Sequence, residues 1–203
     1  NYYTTTAQQN KTMNEEFENE VSRTLKTLKD GGIILYPTDT VWGLGCDALN
    51  QRAVDKIYKL KQRESSKSLI ILVDSFDMLK TYVDKVPEIA LDLINSIDKP
   101  VTVIYDNAHN LPKNLLAADK TIAIRIVKND FCQRLIAELK RPIISTSANI
   151  SGEPTPLVFS KISENVKNQV DYCVQMFHEQ FIQAKASTIL RLFENGEYQV
   201  IRD

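Results

Sequence analysis

The chain is organised around the stretch Gly31–Asp47, GGIILYPTDTVWGLGCD. Its two leading glycines indicate the end of a helix, and the apolar run at residues 33–36 is typical of a short buried strand. Pro37 ends that strand, so the polar residues 38–40 lie at its carboxyl end before apolar residues resume at 41–45. Strand ends of this kind often bind ligands, although the same residues also suit a simple turn between two strands.

The length and composition of the chain fit one globular domain. It has 203 residues, of which 43% are hydrophobic and 25% charged, and a formal net charge of -1. This charge gives no overall attraction to nucleic acid or to acidic membranes, so a polyanionic partner requires a local basic patch.

The cysteines and the hydropathy of the chain predict a cytoplasmic protein that does not bind membranes. Cys46, Cys132 and Cys173 are odd in number and lack metal-ligand spacing, so we expect buried, reduced thiols. No stretch approaches the roughly 20 apolar residues of a membrane-spanning helix.

Helix and strand patterns alternate along the chain. A capping box from Thr12 to Glu15 predicts the start of a helix that ends at Gly31, preceded by a flexible segment at residues 1–11. Asn50 is a candidate cap of a second helix. Later predicted helices lie at 76–83, 87–97, 130–139 and 161–166, and predicted strands at 69–73, 101–105, 121–127, 142–145, 170–174, 187–192 and 198–201. These elements predict one three-layer α/β domain over residues 12–203, with helices flanking a twisted sheet of mixed parallel and antiparallel strands.

A basic cluster follows the central stretch, at residues 52–67. It contains six Lys or Arg residues against two acidic ones. Lys61, Arg63 and Lys67 fall at or beyond the end of the periodic helix pattern, toward a polar loop, where cations suit a polyphosphate. A solvated helix face is the alternative interpretation of this cluster.

Two further patterns are candidates for ligand binding. Residues 145–149, Ser-Thr-Ser-Ala-Asn, offer hydroxyl and amide groups to a nucleotide or an amino acid, or form a Ser/Thr turn. Arg125 is the only charged residue in the strand pattern TIAIRIV, so it requires an anion from the protein or from a ligand. His109 and His178 lie outside these clusters, which argues against histidine-based catalysis.

Four motifs together resemble one known family. The segments YPTDTVWGLGCDA, KLKQR, STSANISGEPTP and STIL, with a late arginine, are similar to those of the YrdC-like threonylcarbamoyl-AMP synthases in their short, single-domain form. The resemblance implies a YrdC-like fold and a nucleotidyltransferase that makes threonylcarbamoyl-AMP and pyrophosphate from L-threonine, bicarbonate and ATP. The product serves N6-threonylcarbamoyladenosine modification of tRNA.

The resemblance also implies roles for individual residues. Lys61 and Arg63 are expected to hold the ATP phosphates and act in catalysis. The other residues expected to bind ATP are Ser145, Ser147, Asn149 and Arg202, and those expected to bind L-threonine are Thr38, Arg125, Ser145 and Ser187. The chain departs from the family pattern at Glu64 and Ser68, where proline is frequent.

The remaining expectations concern cofactors and partners. Mg²⁺ is expected on ATP, with no metal ligand from protein side chains and no prosthetic group. The expected partners are the three substrates and tRNA or the tRNA-threonylcarbamoyl transferase machinery. The alternatives are a double-stranded RNA or tRNA binding module of the same fold without this catalysis, and a paralogue with another carbamoyl or nucleotide substrate.

Overall fold

The computed structural model describes residues 2–64, 69–180 and 186–203. The helices are α1 (Tyr2–Lys29), α2 (Gln51–Lys61), α3 (Phe76–Tyr82), α4 (Ile89–Asn95), α5 (Asp130–Leu139) and α6 (Glu164–Lys167), with 3-10 turns at Lys113–Leu115 and Phe159–Lys161. The strands are β1 (Ile34–Tyr36), β2 (Gly43–Gly45), β3 (Ile70–Val73), β4 (Val101–Tyr105), β5 (Ile122–Ile126), β6 (Ile143–Ser147), β7 (Tyr172–Cys173), β8 (Thr188–Leu192) and β9 (Tyr198–Arg202). In these ranges no helix combines the length and the apolar character needed to cross a membrane.

The strands form one mixed sheet, as predicted. Its order is β7-β1-β2-β6-β3-β5-β4-β8-β9. The pairs β1–β7, β3–β5 and β4–β8 are parallel, whereas β1–β2, β2–β6, β3–β6, β4–β5 and β8–β9 are antiparallel. Helices flank this sheet, and the buried side chains of α1, α2 and α5 join its core.

The first helix begins earlier than the capping box predicts. It starts at Tyr2, and the hydroxyl of Thr12 donates to the carbonyl of Gln8, 3.0 Å away and one turn back, instead of capping a new helix. The prediction of a start at Thr12 is therefore wrong. Residues 5–16 are exposed helix, and the flexibility expected of residues 1–11 stays a prediction.

Other helix boundaries agree with the sequence more closely. The side chain of Asn50 accepts a hydrogen bond from the N–H of Ala53 and caps α2, as predicted. The predicted helix 161–166 is replaced by a 3-10 turn, an extended Ile162 and the short α6, because the Ser163 side chain caps a new helix. Lys67 and Ser68 lie outside the described residues.

The central stretch packs against β6 at very short range. The hydroxyl of Tyr36 donates to the carbonyl of Ile144 at 2.7 Å, which brings β1, β2 and β6 together. A Cβ atom on Gly45 would lie 2.6 Å from the Ile144 oxygen and 2.6 Å from the Tyr36 ring. Only glycine fits at this position, because any side chain would separate β2 from β6.

Candidate functional site

The sheet order gathers the polar candidates on neighbouring strands. Gly43 on β2 pairs with Ser147 on β6, and Ser145 on β6 pairs with Ile70 on β3. On the next strands, Arg125 of β5 pairs with Thr102 of β4. Ser187 immediately precedes β8, and Arg202 ends β9. Residues far apart in the chain therefore lie along one region of the sheet.

Two adjoining cavities occupy this region. The first, here called the sheet cavity, has a volume of about 470 Å³ and is lined by groups that include Thr40, Arg63, Arg125, Ser145, Ser147, Ser187 and Arg202. The second, here called the loop cavity, has a volume of about 490 Å³ and is lined by groups that include Lys61, Arg63, Ser147, Asn149, Ser151 and Thr155. Arg63, Ser147 and Thr155 belong to both, so the two cavities meet at these residues.

A larger depression elsewhere is a weaker candidate. It has a volume of about 690 Å³ and lies along the exposed part of α1, between Ala7 and Asn19. Residues of that single helix line it, so no polar groups converge on it from different elements. Binding sites depend on such convergence, which the sheet and loop cavities provide.

Lys61 is buried at the end of α2. The sequence pattern places this lysine at the edge of a polar loop, but its residue is only 2% exposed. Its ammonium group donates to the Ser147 carbonyl at 2.7 Å and to the Asn149 side-chain oxygen at 3.0 Å, with a 3.3 Å contact to the Ser147 hydroxyl. The interpretation as a solvated residue is therefore wrong for Lys61, because this lysine joins the KLKQR and STSANISG motifs.

Burial changes the protonation of Lys61. Removal from water disfavours the ammonium form and lowers the pKa to about 8, and the nearby positive charge of Arg63 acts in the same direction. An anion in the loop cavity has the opposite effect, because it stabilises the charged lysine. Anion binding in the loop cavity and the protonation of Lys61 are thus coupled.

Arg125 finds its anion within the protein. Its Nε and Nη2 atoms both lie 3.1 Å from one carboxylate oxygen of Asp39, and the two side chains are 3% and 5% exposed. The other carboxylate oxygen of Asp39 accepts from the N–H of Lys128 at 3.2 Å. The prediction of an anionic partner is confirmed, and the partner is the aspartate of the Pro-Thr-Asp-Thr segment.

Beside Arg125, three side chains form a continuous hydrogen-bonded chain. The hydroxyls of Thr102 and Ser187 lie 2.8 Å apart, and the Nη1 atom of Arg125 approaches the Thr102 hydroxyl at 3.5 Å. Arg202 donates from Nη2 to the Ser187 carbonyl at 2.8 Å and to its hydroxyl at 3.3 Å. Strands β5, β4, β8 and β9 are thus connected through polar side chains at the wall of the sheet cavity.

Thr38 lies behind the cavity instead of lining it. It is fully buried, its hydroxyl donates to the Val41 carbonyl at 2.6 Å, and it contacts the Thr40 hydroxyl at 3.1 Å. Thr40 is the threonine of this segment that lines the sheet cavity, and its hydroxyl accepts from Arg125 Nη2 at 3.3 Å. The substrate contact expected of Thr38 stays a prediction.

The other predicted site residues all line the two cavities. The structure brings together Lys61, Arg63, Arg125, Ser145, Ser147, Asn149, Ser187 and Arg202. Their individual roles toward substrates stay predictions.

Sequence reasoning missed the contributions of Asp39, Thr40 and Thr102. One available signal was charge balance, since Asp39 is the only acid in the central polar segment and Arg125 the only charge in its strand.

His178 occupies an aromatic cluster that its sequence context did not reveal. Its ring stacks on Phe159 with centroids 3.7 Å apart, and Trp42 contacts both rings. One ring nitrogen lies 2.6 Å from the Val174 carbonyl. The cluster joins the segment between β1 and β2 to the 3-10 turn before α6 and to the loop after β7, and it lies outside both cavities.

Neither the cysteines nor a side-chain metal cluster adds chemistry to the described site. Burial raises the pKa of the Cys46 and Cys132 thiols, which keeps them protonated and poorly nucleophilic. Residues 2–64, 69–180 and 186–203 contain no group of three His, Cys, Asp or Glu side chains that could hold a metal ion.

A comparison with protein families identifies the chain. The model of the Sua5/YciO/YrdC family, described as "Telomere recombination", matches residues 26–203. The chain belongs to the Sua5/YciO/YrdC family. This membership agrees with the mixed sheet and with the positions of the four motifs around the two cavities.

Named members of the Sua5/YciO/YrdC family match most of this chain. A threonylcarbamoyl-AMP synthase of Pseudoalteromonas translucida (strain TAC 125) is 36% identical over 160 residues, which cover 77% of this chain and 86% of the relative. A solved structure of P. abyssi Sua5 complexed with L-threonine is 28% identical, with a TM-score of 0.77, and is matched over 85% of this chain and 50% of its own. The chain thus spans half the length of that Sua5. E. coli YciO is 26% identical, with a TM-score of 0.77 over 90% of this chain and 88% of its own.

Proposed function

We propose that this protein is an L-threonylcarbamoyladenylate synthase. In this reaction the amine of L-threonine attacks the carbon of bicarbonate to give a carbamate and water. A carbamate oxygen then attacks the α-phosphorus of ATP, and pyrophosphate leaves. The products are threonylcarbamoyl-AMP and pyrophosphate, which makes the protein a nucleotidyltransferase.

The observation that carries the proposal is the meeting of two cavities with different chemistry. The sheet cavity has hydroxyls and the buried guanidinium group of Arg125, which suit an amino acid, whereas Lys61 and Arg63 give the loop cavity positive charge for a triphosphate. They meet at Arg63 and Ser147, where a carbamate from one cavity can reach a phosphate in the other. A named threonylcarbamoyl-AMP synthase at 36% identity and the threonine complex of P. abyssi Sua5 support the same conclusion.

The chemistry requires charge screening more than a strong base. The carbamate and the triphosphate are both anions, and their approach is unfavourable unless nearby cations and hydrogen-bond donors offset the repulsion. Lys61 and Arg63 serve the phosphates in this proposal, with Mg²⁺ arriving on ATP as part of the substrate. Ser145, Ser147, Asn149 and Arg202 hold the nucleotide.

The amino acid lies in the sheet cavity. Arg125, Ser145 and Ser187 bind L-threonine, and Thr40 makes the direct contact that the sequence assigned to Thr38, because Thr40 lines the cavity and Thr38 lies behind it. The product supplies N6-threonylcarbamoyladenosine modification of tRNA in the cytoplasm. We therefore expect tRNA or the threonylcarbamoyl transferase machinery to act after this step.

Pyrophosphate release tests the proposal directly. The protein is incubated with MgATP and each of the twenty amino acids, with and without bicarbonate. We expect release only when L-threonine and bicarbonate are both present. Full release without bicarbonate would indicate an ordinary amino-acid adenylating enzyme, and release with a different carbamoyl acceptor would identify a paralogue with another substrate.

An RNA-binding module is the other function that the sequence leaves open. Its basic patch loses one member in the structure, because Lys61 is buried and bound to residues of β6 and the loop after it. We expect weak tRNA binding that is not needed for adenylate formation. Submicromolar tRNA affinity at physiological salt, without adenylate formation, would favour the RNA-binding module instead.

A further inference from the structure

We infer that two buried threonines, Thr102 and Thr38, act as positioning residues that give the cavity hydroxyls of Ser187 and Thr40 opposite polarities and so fix the orientation of the bound amino acid. The inference rests on the proposed function and deepens it. Each hydroxyl has one proton to donate, so the neighbours that use its oxygen decide what it offers to a ligand.

The Ser187 hydroxyl offers a donor. Thr102 is fully buried, and Ser187 is the only acceptor that its hydroxyl contacts in the described part of the chain, so Thr102 donates to Ser187 at 2.8 Å. The reverse direction leaves the Thr102 proton buried without an acceptor, which is costly. Arg125 favours the same direction, because its guanidinium donates to Thr102 and cannot accept. Arg202 also donates to the Ser187 oxygen, so the Ser187 proton is left to point into the cavity.

The Thr40 hydroxyl offers an acceptor. Thr38 donates its proton to the Val41 carbonyl at 2.6 Å, and its oxygen accepts from the N–H of Thr40 at 3.1 Å. The remaining contact between the two hydroxyls, at 3.1 Å, must then be a donation from Thr40 to Thr38. Thr40 also accepts from Arg125, which leaves one lone pair of its oxygen for a ligand.

The donor at Ser187 and the acceptor at Thr40 select different groups of an amino acid. Ser187, with Arg125 and Arg202 beside it, forms a group of donors that suits a carboxylate. Thr40 requires a donor from the ligand. The amine has to face Ser147 and Arg63, where the two cavities meet, so the side-chain hydroxyl of threonine is the donor that remains for Thr40.

Substrate analogues separate the two ends in a crossed experiment. Binding is measured by calorimetry, without ATP or bicarbonate, for L-threonine, L-threoninamide and L-valine. The variants are Thr102→Val and Thr38→Val, which keep the side-chain shape, and Thr102→Ser and Thr38→Ser, which keep the hydroxyl. Thermal unfolding of each variant checks that it folds.

We expect each valine variant to weaken L-threonine binding about tenfold, the effect of one hydrogen bond. Thr102→Val should weaken L-threoninamide binding less than L-threonine binding, because the neutral carbonyl of that analogue accepts a weaker hydrogen bond than a carboxylate, and Thr38→Val should leave L-valine affinity unchanged, because that analogue lacks the hydroxyl. Both serine variants should bind L-threonine within about twofold of the unchanged protein.

Three outcomes would overturn the inference. In the first, a valine variant weakens all three ligands equally, which indicates a general effect on the cavity. In the second, the serine variants fail to restore binding. In the third, the unchanged protein binds no L-threonine and releases no pyrophosphate with it, which rejects the proposed function as well. If threonine-dependent pyrophosphate release is intact but the crossed pattern is absent, the inference alone fails.

Discussion

The Nζ atom of Lys61 lies 3.0 Å from the Oδ1 atom of Asn149, although 88 positions separate the two residues. This contact joins the end of α2 to the loop after β6 and makes two sequence motifs into one site. It also means that Lys61 serves the fold as well as the proposed phosphate binding. Substitutions at Lys61 and Arg63 should therefore have different consequences.

We predict that Lys61→Ala and Arg63→Ala each lower pyrophosphate release about a hundredfold, since losing one charge-stabilising contact costs about 3 kcal/mol. Lys61→Ala should also lower the free energy of unfolding by about 1 to 3 kcal/mol, because it removes the hydrogen bonds of the buried ammonium group to the Ser147 carbonyl and the Asn149 side chain. Arg63 is only partly buried, so its variant should lose less stability. Steady-state kinetics and urea unfolding measure the two effects.

The matched control for these variants is Lys59→Ala. Lys59 lies in the same last turn of α2 but is exposed and lines neither cavity. Its variant should keep the activity and stability of the unchanged protein. Near-normal turnover of Lys61→Ala or Arg63→Ala at saturating ATP would refute the phosphate role of that residue.

The lowered pKa of Lys61 predicts an alkaline limit of activity. In the free protein this pKa is about 8, so the ammonium charge is present below that pH and is lost as the pH rises through it. We expect kcat/KM for ATP to fall above pH 8, since this ratio reports the ionisation of the free enzyme. The limit should appear at higher pH in kcat, because bound phosphates stabilise the charged lysine.

Lys61→Arg tests the assignment of this limit. Arginine stays charged throughout the range, so a variant that retains activity should show no decline of kcat/KM just above pH 8. The measurement is a pH profile from 6.5 to 9.5 for both proteins at fixed ionic strength. An identical decline in the two proteins would assign the limit to another group.

The buried pair of Asp39 and Arg125 predicts a large stability loss when one partner is removed. Asp39→Asn should lower the free energy of unfolding by about 3 kcal/mol, because it leaves the Arg125 charge buried without its counterion. Glu18→Gln is the control, since it breaks an ion pair with Arg134 in which both side chains are 40% exposed or more. That control should cost little stability, because water and salt screen the attraction between exposed charges. Equal losses in the two variants would mean that burial of the Asp39 pair is energetically unimportant.

The sheet cavity should reject valine more strongly than serine. Serine lacks only the methyl group of threonine, worth about 1 to 3 kcal/mol, whereas valine lacks the hydroxyl that the polar groups of the cavity bind, and this loss excludes a ligand more strongly. Thr40→Val should raise the KM for L-threonine more than the KM for ATP and should narrow the gap between threonine and valine. Thr40→Ser is the control that keeps the hydroxyl. An effect confined to the KM for ATP would instead assign Thr40 to the nucleotide.

Local helix and strand signals predicted the mixed α/β fold, and the resemblance of four motifs to the YrdC-like family indicated most of the candidate site. The apolar run before Pro37 predicted β1, and Asn50 predicted the cap of α2. The motifs contain residues such as Arg63, Ser147 and Ser187, and these residues line the sheet cavity. Such signals act over a few neighbouring residues and are therefore readable in order along the chain.

Which of these groups become partners depends on strand order and packing. Asp39 and Arg125 are 86 positions apart, and their contact follows from the order of β1, β2, β6, β3 and β5 in the sheet. The helix pattern could not show that Lys61 is buried, because its cover comes from the loop after β6. Thr102 and Thr38 likewise acquired their proposed roles only through hydroxyl contacts, with Thr102 meeting Ser187 from a neighbouring strand and Thr38 held behind Thr40. Burial, charge pairing and hydrogen-bond polarity arise between elements, so they are fixed by packing and strand order.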